Sequence, residues 1–77
     1  MNKVYVCYVD GVLIGVYKDR EKAYNAMIAD IKTNRWFLEA NTVELCMNNL
    51  TKSYKETEDD GFTDDGDCMA EVSYLYD

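Results

Sequence analysis

Histidine and proline are both absent from this chain of 77 residues. Histidine is the side chain whose unperturbed pKa lies closest to neutral pH, so its absence removes the usual general base, proton shuttle and nitrogen ligand for zinc. Without proline, the chain offers neither PxxP-type ligand segments nor rigid linkers. We therefore expect a protein that is not an enzyme and that uses no cofactor.

Cysteine is sparse as well, and Cys7, Cys46 and Cys68 form no CxxC pair. A zinc site on all three thiolates would need them to converge and to find a fourth ligand, so the sequence predicts reduced thiols and no metal site. No stretch approaches the roughly 18 apolar residues of a membrane-spanning helix, and the chain opens on a strand-like pattern rather than an apolar signal segment. These features predict a cytoplasmic protein that does not bind membranes.

What is present is enough for one small folded domain, residues 1–77, since 48% of the residues are hydrophobic and 13% are aromatic. The net charge is −7, which disfavours direct binding to nucleic acid or anionic lipid. The charge is unevenly distributed: residues 1–55 carry a net charge of +2, whereas residues 56–77 carry nine acidic and no basic side chains.

The dipeptide Asp10-Gly11 lies between two β-prone runs and predicts a hairpin with a two-residue type I′ turn. A regular register pairs Val9–Val12, Cys7–Ile14 and Tyr5–Val16 on one face, and Tyr8–Leu13, Val6–Gly15 and Val4–Tyr17 on the other. Because both faces are apolar, we expect the second face, with Tyr8, Leu13 and Tyr17, to be buried against another surface. That surface could be another part of the domain, a second copy in a homodimer or a partner protein.

A helix is predicted to follow, with Asp19 as its N-cap and an end at Thr33-Asn34. Its apolar stripe has the spacing of a packed helix face and consists of Tyr24, Met27, Ile28 and Ile31.

Residues 36–50 fit two patterns. Asn41 and Glu44 would start a helix with the stripe Val43, Cys46, Met47 and Leu50, yet Val43, Leu45 and Met47 also alternate as in a strand. We favour the strand on grounds of topology, and residues 69–76 alternate as a closing strand. The predicted fold class is α+β: an N-terminal β-hairpin, one amphipathic helix, then one or two further strands in a small antiparallel sheet.

The acidic residues concentrate in a predicted loop, residues 56–67, with glycines at 61 and 66. A specific contact with a basic protein surface is the function we favour, because clustered carboxylates speed encounter and tyrosines supply buried anchors. The predicted partner-binding residues are Glu56, Glu58, Asp59, Asp60, Asp64, Asp65, Asp67, Glu71, Tyr74 and Tyr76.

Three other interpretations of this loop stay open. The loop could only keep the protein soluble, or it could bind calcium, although residues 59–67 lack the DxDxDG spacing of an EF-hand. The third is a structural protein that assembles through the Tyr8/Leu13/Tyr17 face, with the acidic loop only solubilising it.

A short chain without histidine or proline, with the Val9-Asp10-Gly11-Val12 hairpin, one amphipathic helix and an acidic cluster, resembles the small accessory proteins that phages encode against their hosts. These include anti-CRISPR and anti-restriction inhibitors. The resemblance implies an inhibitor that blocks a nucleic-acid-binding site on a host or defence protein, in the host cytoplasm. Lys18, Arg20, Lys22 and Lys32 do not fit a DNA mimic that uses its whole surface.

Overall fold

A computed structural model describes residues 2–34 and 40–75, which form four strands and two helices. The strands make one antiparallel sheet in the order β2-β1-β4-β3, and side chains of both helices belong to the core cluster on one of its faces. The predicted α+β class is therefore confirmed. In chain order the elements are β1 (Asn2–Val9), β2 (Val12–Tyr17), α1 (Arg20–Asn34), α2 (Ala40–Glu56), β3 (Phe62–Thr63) and β4 (Met69–Leu75).

The predicted two-residue turn joins β1 to β2. Asp10 and Gly11 have φ angles of 56° and 73°, as a type I′ turn requires at both central positions. Glycine adopts this conformation without steric cost, and aspartate is among the few other residues that tolerate it.

The register beyond the turn differs from the prediction. Val9 pairs with Val12 and Tyr8 with Leu13 as expected, but Ile14 is then bulged out, so that the remaining pairs are Cys7–Gly15, Val6–Val16 and Tyr5–Tyr17. One extra residue reverses the alternation of the strand. Tyr17 consequently packs against the core on the helix side, although it was predicted on the opposite face. Val16, predicted on the helix side, lies on that opposite face instead.

The first helix begins as predicted. The carboxylate of Asp19 accepts hydrogen bonds from the backbone N–H groups of Glu21 (2.8 Å) and Lys22 (3.2 Å), which identifies it as the N-cap. On the predicted stripe, Met27 and Ile31 are fully buried, with Ala23 beside them.

The predicted strand within residues 36–50 is wrong over the part that the structure describes, because residues 40–56 form α2. Leu50 is fully buried, and Val43, Cys46 and Met47 pack against the core, which is the stripe of the alternative helix. The helical stripe continues through Tyr54, whereas the strand-like alternation covers only three residues. Residues 36–39 lie outside the described residues.

The predicted acidic loop is interrupted by regular structure. Glu56 is the last residue of α2, and Phe62–Thr63 form the edge strand β3. The Phe62 side chain is buried in the core, where its ring makes edge-to-face contacts with Tyr24 and Tyr54. Those two tyrosines stack with ring centroids 4.1 Å apart. The closing strand is confirmed over 69–75, and the predicted site residue Tyr76 lies outside the described residues.

Gly61 allows β3 to approach β4 closely, because a Cβ atom there would clash with the carbonyl oxygen of Ala70. The Gly61→Ala variant is expected to lose about 1–3 kcal/mol of stability, since the backbone of the strand pair must shift. Gly66→Ala is the matched control, because its Cβ would come no nearer than 3.4 Å to the Asp64 carboxylate. Urea denaturation measures both variants, and equal free energies of unfolding would contradict the clash.

Candidate functional site

The acidic residues that the sequence grouped together occupy two turns at opposite ends of β3. The first turn, residues 57–61, links α2 to β3, and the second, residues 64–68, links β3 to β4. Of the predicted carboxylates in and beside these turns, Asp64 is half-buried and the others are exposed: Glu56, Glu58, Asp59, Asp60, Asp65 and Asp67.

Cationic side chains hold the first turn through its backbone. The carbonyl oxygen of Asp59 accepts hydrogen bonds from Lys3 Nζ (2.6 Å) and Tyr5 OH (2.9 Å), and that of Asp60 accepts one from Arg20 Nε (3.0 Å). The guanidinium of Arg20 also lies 4.4 Å from the centroid of the Tyr54 ring, a cation–π contact. These contacts orient the turn while its carboxylates stay available to another molecule.

The second turn is built on Asp64. Its Oδ1 atom accepts hydrogen bonds from the backbone N–H groups of Gly66 (2.8 Å) and Cys68 (3.1 Å). The carbonyl of Asp67 accepts the N–H of Gly11 (3.1 Å), which ties this turn to the hairpin turn. Asp64 therefore serves the local fold, and Asp65 and Asp67 carry the exposed charge.

None of the predicted site carboxylates forms an ion pair with a lysine or arginine within the described ranges 2–34 and 40–75. Pairing with described lysines or arginines therefore does not cancel their negative charge, although Lys3 and Arg20 lie close to the first turn. We call the five exposed acidic residues of the two turns the acidic edge: Glu58, Asp59, Asp60, Asp65 and Asp67.

The remaining predicted site residues do not lie together on one surface. Glu71 pairs with Val6 on the sheet face away from the helices. Tyr74 is 53% exposed, and its position in β4 alternates with that of Glu71 so as to face the helix side.

The sheet face away from the helices is mainly apolar and is named here the outer face. Leu13, Val16 and Leu75 are 56%, 52% and 49% exposed there, and Met69 is 40% exposed. Among the described residues, Glu71 is its one charged member. From the strand registers, its ten residues are Asn2, Val4, Val6, Tyr8, Leu13, Val16, Met69, Glu71, Ser73 and Leu75. The exposed part of the face lies toward its ends, because Val4 is buried and Val6 and Tyr8 are half-buried.

A groove of about 340 Å³ joins the outer face to the second acidic turn. Tyr8 and Met69 supply apolar walls, and Asp67 and Glu71 supply carboxylates. An arginine or lysine of another protein has the matching chemistry, an apolar stem that ends in a positive charge.

Two thiols and a carboxylate converge where α2 meets the second turn. Cys46 Sγ donates a hydrogen bond to Asp64 Oδ2 at 3.0 Å and lies 3.4 Å from Cys68 Sγ. The three ligand-type atoms all lie within 4.8 Å of one another. Cys7, the third cysteine, is buried in β1 and is not part of the cluster.

The sequence analysis missed this cluster, because Cys46 and Cys68 are 22 residues apart and match no spacing typical of a metal site. One feature of the sequence did point to it: Cys46 lies on the apolar stripe of the helix that was the alternative to a strand in residues 36–50. In that helix the thiol of Cys46 faces the core.

Burial raises the pKa of the Cys46 thiol, and its hydrogen bonds to Asp64 and Cys68 raise it further. Burial also raises the pKa of Cys7 from an ordinary value of 9.0 to about 11. Both groups are therefore protonated at neutral pH.

No family model, curated protein or solved structure matches this chain. Within the described residues, no helix is both long and apolar enough to cross a membrane.

The free energy of unfolding is expected to fall as the pH rises above 9. The unfolded chain ionises its thiols near 9.0, whereas Cys7 keeps its proton in the folded state up to about 11, so unfolding releases protons in this interval. Urea denaturation from pH 7 to 11 measures the effect. Cys7→Ala and Cys46→Ala should each flatten the decline relative to the wild type, and an unchanged slope in both variants would contradict the assignment.

Proposed function

We propose that this protein is a non-enzymatic binding module that docks its outer face and acidic edge onto a protein with a basic surface. The observation that supports this most directly is the juxtaposition of an exposed apolar sheet face with carboxylates that form no ion pairs among the described residues.

The apolar part of the interface would supply affinity. Leu13, Val16 and Met69 expose 40–58% of their surface, as does neighbouring Val12 at the hairpin end. An exposed apolar patch with a polar rim is typical of protein–protein interfaces. Removing such a patch from water stabilises a complex by roughly 25 cal/mol for each Å² of apolar surface buried.

The acidic edge would supply the choice of partner. Carboxylates at the border of an interface attract a positively charged surface and repel a negatively charged one, so they act mainly on encounter rate and specificity. The groove beside Asp67 and Glu71 would receive a lysine or arginine of that partner.

An inhibitor is the form of this function that the resemblance to phage accessory proteins supports. A small acidic module seated on the nucleic-acid-binding site of a host or defence protein would exclude DNA or RNA from it by charge and by volume. The acidic edge covers a short segment of the molecule, so it would compete for a short stretch of a basic channel.

Self-association through the outer face is the second candidate, because the exposed Leu13 and Val16 would also bury apolar surface against a second copy. The charge on the face argues for a different partner. In a two-fold symmetric pairing of outer faces, each chain would bring its Glu71 against a face whose described residues offer no basic side chain. A carboxylate buried there without a positive partner would weaken the dimer.

Neutralising the acidic edge is expected to weaken partner capture. Asp59→Asn combined with Asp60→Asn keeps the backbone hydrogen bonds of the first turn and removes two charges. The matched control combines Glu21→Gln and Glu44→Gln, two exposed acidic residues on the helices. The immobilised protein is incubated with a lysate of its native host cell at low and at high salt, and captured proteins are identified by mass spectrometry.

A supporting result is a basic protein that the wild type and the control retain, that the Asp59/Asp60 variant loses, and that high salt releases. Capture that survives both the acidic substitutions and high salt would contradict an electrostatic contribution of the acidic edge.

Substituting the outer face tests the apolar contribution separately. Leu13→Gln is expected to weaken binding of the captured partner about tenfold, the loss typical of a residue that contributes substantially to an interface. Leu45→Gln is the matched control, because Leu45 is 60% exposed on α2 and Leu13 is 56% exposed. Calorimetry with the identified partner gives both affinities, and equal losses would exclude the outer face as the interface.

Light scattering distinguishes the two candidate functions. The proposal expects a monomer at micromolar concentration for the wild type and for both leucine variants. A wild-type dimer that Leu13→Gln dissociates and Leu45→Gln does not would overturn the proposal and establish self-association.

A further inference from the structure

We propose that Cys46, Cys68 and Asp64 bind one zinc ion, or a divalent ion of the same thiophilic class, between α2 and the β3–β4 turn. None of these three residues belongs to the outer face or to the acidic edge, so the inference does not depend on the proposed function.

The geometry is close to that of a tetrahedral zinc site. Zinc–sulfur bonds of about 2.3 Å place two sulfur ligands about 3.8 Å apart, and a sulfur and an oxygen ligand about 3.5 Å apart. The observed separations are 3.4 Å between the two Sγ atoms and 3.0 Å between Cys46 Sγ and Asp64 Oδ2. Side-chain rotations that move these atoms by a few tenths of an ångström would open the two distances enough for an ion. The third pair, Cys68 Sγ and the Asp64 carboxylate, lies within 4.8 Å, and the same rotations would adjust it to the ligand spacing.

The Asp64 carboxylate is oriented in advance. The N–H groups of Gly66 and Cys68 hold Oδ1, which turns Oδ2 toward the thiol of Cys46. Hydrogen bonds of this kind around a ligand fix its direction and increase metal affinity.

A cavity of about 170 Å³ lies beside the cluster and supplies space for a fourth ligand. Asp67 and Thr42 line it, so a water molecule that serves as the fourth ligand would have polar neighbours. Three protein ligands with an open fourth position are a known form of zinc coordination.

The donor set decides which ion is favoured. Thiolates prefer zinc and similar soft or borderline ions, whereas calcium takes six to eight oxygen ligands, which this cluster does not offer. A bound ion would connect α2 to the turn that carries Asp65 and Asp67, and would thereby stabilise the folded state.

Cobalt(II) is a suitable probe, because thiolate ligands give it a charge-transfer absorption and tetrahedral geometry gives it intense visible bands. The reduced full-length chain is titrated with cobalt under anaerobic conditions, and zinc is then added in competition. The expected result is one cobalt per chain, both absorption features, complete displacement by zinc and a higher Tm of the zinc-loaded protein.

Cys46→Ser, Cys68→Ser and Asp64→Asn are each expected to weaken cobalt binding at least tenfold. Two variants are matched controls that should bind as the wild type does: Cys7→Ala removes the cysteine outside the cluster, and Asp65→Asn removes the neighbouring exposed carboxylate. Circular dichroism of each metal-free variant verifies that it is folded.

Several results would overturn the proposal: no binding at millimolar zinc, binding without a thiolate charge-transfer band, or equal losses in Cys7→Ala and Cys46→Ser. Preferential calcium binding would also overturn it, as would a Cys46–Cys68 disulfide under the reducing conditions of the titration. If Asp64→Asn proves unfolded, the charge-transfer band and the two cysteine variants still decide the question.

Discussion

In this protein two helices cover a four-stranded sheet from one side, and the rest of the structure follows from that arrangement. The helix side buries Met27, Ile31, Leu50 and Phe62, which supply the core. On the opposite side, apolar residues such as Leu13 are exposed. The described residues form no helix or strand that packs on this side of the sheet. The exposed part of this face is the surface on which the proposed binding function rests.

The acidic segment has a structural and an electrostatic role at the same time. Phe62 anchors it in the core, and Arg20 and Lys3 hold its first turn through backbone carbonyl oxygens. Since cations bound to the backbone leave the carboxylates in solvent, the turn is ordered while its charge remains exposed. An ordered charged edge loses less conformational entropy on binding than a disordered tail would.

The thiol cluster depends on contacts between elements that are distant in sequence. Cys46 reaches Asp64 and Cys68 because α2 packs over β3 and the turn that follows it. The half-buried thiol of Cys46 beside the Asp64 carboxylate is protonated in the absence of a cation, and a thiophilic ion would replace the proton. The same side chains would thus hold a proton in the metal-free protein and an ion at the proposed site.

Local chemistry by itself determined the Asp10-Gly11 turn, the Asp19 N-cap and the alternation of β4, because each depends on residues a few positions apart. It also determined the total charge of the last part of the chain. Tertiary structure decided the bulge at Ile14 and the helical state of residues 40–56, since a bulge has no local signal here and a short apolar run fits either period. Packing also divided the acidic residues between two turns, because the burial of Phe62 outweighs the tendency of a charged segment to remain a loop.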